Sequence, residues 1–430
     1  MIYNFIAENT PSNLNFNINL QKDKKVYCFI GENGAGKTQL LETMARSFLY
    51  CHSLIKRGGK YCKGLYAKDG IFDILKNLKL YLPLEMKIND KEVKNKDKDN
   101  WSFAWIHDIL DKDRGIEFNN PIVFIGAKNR GYAKNVDKNN VKILGNKFDR
   151  FLTSFTKMYN YANSIETDEV SVVDWFVSRL IINPNFVYGQ KQYSDDVVIV
   201  CKLLQKLEPE KLKKLIVDNS SGGYSINMGF SDGKLLFSGI PFEKLSTGYI
   251  SIIKIFQDII EGFSSWRLDE NESIAEMEGV VFIDEVEAHL HPKWEQAIVP
   301  LLKTYFPKTT FYIATHSPLV ISTTDEGEAY ELIREGQNIE ANELGNPKAW
   351  YMADVYSQAF HVEYNKDFEK GQENIIKLTA EYSKLIKEFT KTKNEETKKR
   401  IEEIYQSLNS IMAETDPRRK TIENLKMLIV

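Results

Sequence analysis

The run Val280-Val281-Phe282-Ile283, which delivers two adjacent carboxylates at Asp284 and Glu285, constrains the fold more than any other stretch. Four successive apolar residues without alternation read as a strand covered on both faces. Placing two acids at its end is costly unless a cation and a reacting water use them. An Asp-Glu pair after an apolar run is common in itself. Its weight comes from the flanking chain.

Upstream, the apolar run Val26 to Ile30 leads into Gly31-Glu32-Asn33-Gly34-Ala35-Gly36-Lys37-Thr38, and a helix-like run follows from Gln39 to Tyr50. Strand, glycine loop and helix are the context that a Walker A phosphate cradle requires. Gly34 and Gly36 let backbone N–H groups curl around phosphate oxygens, and the positive end of the following helix adds its field. In such a cradle Lys37 reaches the β- and γ-phosphates, and the Thr38 hydroxyl ligates Mg²⁺. The Asp-Glu strand then reads as Walker B, with Asp284 toward the metal and Glu285 toward the attacking water.

A third element lies between them. Leu245-Ser246-Thr247-Gly248-Tyr249 precedes an apolar helix from Ile250 to Ile260, and a Ser and a Gly at a helix start make an anion-binding end. Beyond Walker B, another apolar strand ends in Ala314-Thr315-His316-Ser317-Pro318. A histidine at that strand end suits a γ-phosphate sensor.

These four motifs in this order resemble the ABC-type ATPases of the RecF/SMC-like branch. More narrowly, they look like the stand-alone bacterial AAA_21 ATPases, a neighbourhood that includes the anti-phage ATPases PtuA of Septu systems and AriA of PARIS. The resemblance rests on residues 1–50 and 240–325 and is loose elsewhere. It implies an α/β P-loop NTPase fold: an ABC-ATPase head with a mixed core sheet, helices on both faces and an antiparallel β subdomain. It further implies ATP and Mg²⁺ as ligands, with Asn33, Gly34, Ala35, Gly36, Lys37, Thr38 and Gln39 holding nucleotide and Thr38 and Asp284 holding metal. Glu285 becomes the catalytic base and His316 the switch histidine. Ser246, Thr247 and Gly248 form a signature acting in trans on a second copy, and Glu287 to Pro292 a D-loop at the dimer seam. Two departures speak against a transporter motor: the signature is Leu-Ser-Thr-Gly-Tyr, and the D-loop carries His-Leu-His-Pro. The Q-loop is sought after the strand Ile122 to Ile125, near Ala127-Lys128-Asn129-Arg130.

With 430 residues and 43% hydrophobic content the chain can bury a sizeable core. A net charge of −3 gives no overall attraction for nucleic acid. Cys28, Cys51, Cys62 and Cys201 show no C-x-x-C pairing, which fits a reduced cytoplasm. Cys51-His52 with Cys62 makes at most a partial zinc site, so free thiols are expected. No apolar run has the length of a membrane span and no signal-peptide pattern is seen, so a cytoplasmic protein without a membrane partner is expected.

Four segments are expected. Residues 1–50 form the N-terminal lobe with Walker A, in which Leu14, Phe16, Ile18 and Leu20 alternate as a strand. Residues 51–244 form an insertion and helical lid with completing strands, including helices over 148–162, 170–182 and 195–207. Residues 245–335 carry the signature, Walker B, D-loop and switch histidine. Residues 336–430 form a C-terminal helical extension, where Leu378, Leu385 and Phe389, then Ile401, Ile404, Leu408 and Ile411, space a helical hairpin broken at Lys393-Asn394-Glu395. Lys and Asp alternate between 87 and 100, which reads as solvated loop. Asp174-Trp175-Phe176 reads as core packing rather than a platform for bases. The Asp-x-Asp of a Toprim nuclease does not follow Glu335-Gly336, so ATP hydrolysis is the only chemistry visible.

Two functions remain open. One is an ATP-driven switch subunit that dimerises with itself and regulates a separately encoded effector, such as a nuclease or toxin, in anti-phage defence. The other is a RecF-like ATPase with DNA as its ligand in repair or recombination.

Overall fold

The computed structural model describes residues 1–52, 79–80, 85–94, 101–102, 116, 118–127, 147–162, 172–179, 194–218, 224–231, 234–244, 247–266, 272–362, 366–412 and 416–427. Their contacts divide into two units, Met1–Phe360 and His361–Val430.

The first unit is organised by a ten-stranded sheet. In chain order its strands are β1 (Asn4–Glu8), β2 (Asn15–Asn19), β3 (Val26–Ile30), β4 (Glu85–Ile88), β5 (Lys91–Lys94), β6 (Ile122–Ile125), β7 (Val280–Ile283), β8 (Thr310–Ala314), β9 (Ala329–Glu335) and β10 (Asn338–Glu343). Across the sheet they run β5-β4-β1-β2-β10-β9-β3-β8-β7-β6. From β9 to β6 every neighbour is parallel. On the other side, β1, β2, β4 and β5 form an antiparallel wing, which meets β10 through a parallel pairing with β2. The sheet is mixed, and its parallel half carries the P-loop strand at an interior position. This is the arrangement of a P-loop NTPase fold, with an antiparallel wing added to the parallel sheet.

Burial follows from the residue pattern. The wing strands alternate, and Leu14, Phe16, Ile18 and Leu20 all face the core as expected. The parallel strands β3, β6, β7 and β8 are buried along their whole length, as unbroken apolar runs require. Successive residues of each feed opposite cores: Val281 and Ile283 point to one, Val280 and Phe282 to the other. The second core is closed by helices α1 (Lys37–Tyr50) and α2 (Lys147–Ala162). The first is closed by α3 (Val172–Val177), α4 (Ser194–Leu207), α5 (Thr247–Trp266) and α6 (Pro292–Tyr305). Trp175 and Phe176 are buried in that layer, so they pack rather than present a face to bases.

His52 is fully buried, with Nε2 3.1 Å from the Asn120 carbonyl and its ring edge-on to Trp266. Among the described residues no group of His, Cys, Asp or Glu has the arrangement of a metal site. Cys62 lies outside them. No helix among them is long and apolar enough to cross a membrane.

Residues 338–343, assigned from the sequence to a helical extension, form β10. The turn at Gly336 (φ 64°) folds the chain back antiparallel on β9, and Ile339 drops into the core beside the P-loop. The second unit holds α7 (Lys366–Thr392), α8 (Glu395–Ile411) and α9 (Pro417–Lys426). Asn394 caps α8, its side chain accepting from the Glu396 N–H at 2.9 Å, at the expected break. Tyr382, Ile386, Ile401, Ile404, Leu408, Met412 and Ile422 make the unit's own core. Ile411, expected on that face, is exposed; Met412 takes the place, and the third helix α9 closes the cluster with Ile422.

Candidate functional site

The site lies at the carboxyl ends of the parallel strands. Gly34 and Gly36 have φ of 85° and 92°, a left-handed backbone that lets the loop turn tightly into α1. The turn is tight for a second reason: a Cβ on Gly36 would stand 2.5 Å from Ile339 Cδ1 on β10. Arg334 of β9 reaches the apex of the same loop, its Nη1 donating to the Gly34 carbonyl at 2.8 Å. Within the loop Asn33 is exposed and Ala35 is buried; in the first turn of α1 Thr38 is half-buried and Gln39 exposed.

Lys37 is buried and curls back on its own loop, donating to the Gly31 carbonyl at 2.8 Å and the Glu32 carbonyl at 3.1 Å. Burial draws its ammonium below the ordinary lysine range, and the charges of Asp284, Glu287 and Glu285 pull the other way. Next to it the Thr38 hydroxyl donates to Asp284 Oδ2 at 2.9 Å. Residues 246 positions apart thus place two hard oxygen donors side by side, as a magnesium ion shared with phosphates and waters would require. They fit that ion.

Asp284 is fixed by its backbone, whose N–H donates to the Ile125 carbonyl at 2.9 Å. At Glu285 the chain turns with φ of 44°, a strained value for a residue with a side chain, and the carboxylate is exposed. The next residue, Val286, is tied to the Ala314 carbonyl at 3.2 Å, which joins the ends of β7 and β8. His316 follows β8 and is also exposed. Its imidazole is held below the usual histidine range, first by burial and then by the Lys37 charge, with Glu287 and Glu285 opposing.

Two carboxylates pin the histidine loop. Glu287 accepts from the Thr315 hydroxyl and from the His316 backbone N–H, each at 2.6 Å. Glu295 of α6 accepts from the Ser317 hydroxyl, which in turn caps the short helix Pro318–Ile321. The expectation of a seam-facing D-loop from Glu287 to Pro292 gave no hint of the inward bond by Glu287. A carboxylate three residues after the Walker B Asp carries no signal of its partner without the fold. His291 serves as N-cap of α6, its Nδ1 accepting from the Lys293 N–H at 3.2 Å, and Pro292 behind it suits the first helical position.

Of the expected signature, Ser246 lies outside the described residues and Thr247 begins α5. Gly248 is buried, and a Cβ there would stand 3.1 Å from the Trp294 ring and 3.4 Å from the His291 nitrogen. Tyr249 packs on Trp294 with ring centroids 5.0 Å apart, and the Ser251 hydroxyl donates to the Ala288 carbonyl at 2.9 Å. The start of α5 and the turn from Glu287 to Pro292 therefore form one continuous piece. The strand β6 leads to the position sought for the Q-loop, pairing with β7 in parallel register; Lys128, Asn129 and Arg130 lie outside the described residues.

Glycine cradle, paired acids and strand order together have the form of a P-loop nucleotide site. Residues 256–322 match the family described as "AAA domain, putative AbiEii toxin, Type IV TA system". The chain is 28% identical over 194 residues to the Septu protein PtuA of Bacillus thuringiensis, a match spanning 40% of this chain and 48% of that protein. It is 29% identical over 177 residues to the retron Ec83 probable ATPase of Escherichia coli, spanning 38% and 30% of the two. Among solved structures, an SMC head bound to the C-winged helix domain of ScpA aligns over 81% of this chain and 98% of that one, at 14% identity and a TM-score of 0.36. Residues 256–322 thus match an AAA_21 domain, and parts of the chain are similar to Septu and retron proteins. The matches reach half or less of the length of these curated relatives.

Proposed function

We propose that this protein binds ATP with Mg²⁺, hydrolyses it slowly, and uses the bound and hydrolysed states as a switch that regulates a partner. One observation carries the reading: the Thr38 hydroxyl and Asp284 carboxylate meet at 2.9 Å, beside a buried Lys37 within electrostatic reach of Glu285. Lys37 exchanges its two loop carbonyls for the β- and γ-phosphates when nucleotide enters. Thr38 and Asp284 would hold the metal, which when bound would supply positive charge against the phosphates. Glu285 takes a proton from water as the water oxygen bonds to the γ-phosphorus; the bond to the β-phosphate oxygen breaks, and ADP and phosphate leave. The exposed His316 contacts the γ-phosphate.

Ser246, Thr247 and Gly248 act in trans, so that two copies clasp nucleotide between them. The join between the α5 start and the D-loop supports this, because a signature and a D-loop that share one surface approach a second copy together. ATP then acts as glue between heads, and hydrolysis releases them. The regulated partner is a separately encoded effector such as a nuclease or toxin, in anti-phage defence. Support for that role comes from the similarity to the Septu and retron proteins.

The test uses two variants. Glu285→Gln is expected to bind ATP, to fail to turn it over, and to accumulate as dimer in light scattering. Lys37→Ala is expected to lose nucleotide binding. Turnover at the wild-type rate by Glu285→Gln excludes Glu285 as the base.

A further inference from the structure

We infer that Glu287 is a positioning residue that latches the histidine loop to the Walker B turn and so sets His316 relative to Glu285. The inference rests on the hydrolytic reading above.

The geometry is two-toothed. Oε1 accepts the His316 backbone N–H and Oε2 accepts the Thr315 hydroxyl, both at 2.6 Å. Charge-assisted bonds of this length are short and strong. Only a carboxylate offers one acceptor oxygen to each of two donors on successive residues; an amide has a single acceptor oxygen. Thr315 is fully buried, and its oxygen also accepts from the Ser317 N–H at 3.0 Å, so the hydroxyl can donate in one direction only. That direction is Glu287.

The other end of the latch is equally fixed. The Ala288 N–H donates to the Glu285 carbonyl and the Leu290 N–H to the Glu287 carbonyl, each at 2.8 Å, which places both acids in one run of tight turns. The Glu287 charge also reaches Lys37. Glu287 therefore joins the turn that carries the base, through its backbone, to the histidine loop, through its side chain. It does so within electrostatic reach of Lys37 and from a segment continuous with α5 through the Ser251–Ala288 bond. A movement of the D-loop when a second copy docks is passed to Glu285 and His316 at once. Displacements of about 1 Å in such a constellation cost on the order of 100-fold in rate.

The test pairs a backbone readout with kinetics. In Glu287→Gln, the His316 amide should exchange with solvent at least about tenfold faster, because its acceptor is lost or shared. ATP turnover should fall about 10- to 100-fold, with KM and the melting temperature nearly unchanged. Thr315→Val should fall similarly, and the double variant should be no worse than the poorer single one, as expected for two ends of one contact. Unchanged His316 exchange overturns the latch. So does a fall in kcat matched by loss of ATP affinity or of stability, or full additivity of the two variants. A wild-type chain that turns over no ATP overturns the hydrolytic reading instead, and with it the catalytic consequence of the latch, while the exchange measurement still reports on the contact.

Discussion

Two sets of buried charges, one between helices and one at the strand ends, are handled in opposite ways. Between the helices, buried ions lie against their opposites at two clusters among the described residues. Asp258 of α5 accepts from Lys157 of α2 at 2.7 Å and faces Lys254 at 3.2 Å. Arg179 lies 3.8 Å from both Asp196 and Glu261, with its guanidinium 3.9 Å over the Trp175 ring. At the strand ends the cation is kept on backbone carbonyls instead, while the Glu287 carboxylate is engaged by the histidine loop. Lys37 and the acid pair are near enough to feel one another without closing an ion pair. A set of mutually paired charges holds helices together; a cation held on its own loop's carbonyls is one that an incoming anion would draw away under the proposed function.

Removing one member from each place should separate the roles. Lys37→Ala is expected to weaken ATP binding at least about 100-fold while leaving stability nearly unchanged, as calorimetry and thermal melting would read. Asp258→Asn should do the reverse. Leaving two lysines without their shared anion should cost about 3 to 5 kcal/mol of stability, with ATP affinity near that of the wild type when measured well below the melting point. A large affinity loss in Asp258→Asn would erase the distinction.

A third variant sharpens the comparison through pH. His52 is buried neutral, its pKa lowered from 6.5 to about 4 by desolvation. The unfolded chain takes up this proton first as the pH falls. Stability from His52 is therefore complete above about pH 6.5 and is lost progressively down to about pH 4, on the order of 3 kcal/mol in all. Glutamine keeps a donor for the Asn120 carbonyl but does not titrate, so His52→Gln should flatten this part of the stability profile; an unchanged slope would remove His52 from the account. The smallest effect is expected at Arg334, which is exposed and whose side chain reaches the loop apex at Gly34 and the Gly336 carbonyl. Arg334→Ala should weaken ATP binding about two- to fivefold, with no change in melting temperature.

The parts of the molecule that were legible in the sequence are those whose chemistry is local. The glycine cradle, the acid pair and the apolar runs of β3, β7 and β8 specify strands, turn and site by type and order. The alternation of Leu14, Phe16, Ile18 and Leu20 and the break at Asn394 are local as well. The bonds that cross the sheet were not legible, because each depends on which strands become neighbours. Glu287 to Thr315, Arg334 to Gly34 and Ile339 against Gly36 join residues 28, 300 and 303 positions apart. Strand β10 was missed for the same reason: Asn338 to Glu343 is a polar run whose extended form is dictated by its partners β9 and β2. In the second unit, periodicity found two helices, but the short α9 offers only Ile422 and Leu425 to the cluster and is too polar to stand out.

The most direct test is a structure of Glu285→Gln with Mg²⁺ and ATP. Lys37 Nζ should have left the Gly31 and Glu32 carbonyls for the triphosphate, and Ser246 of a second copy should lie on the same γ-phosphate. A triphosphate bound while Lys37 stays on its two carbonyls, or with Ser246 of every copy distant from it, contradicts the account.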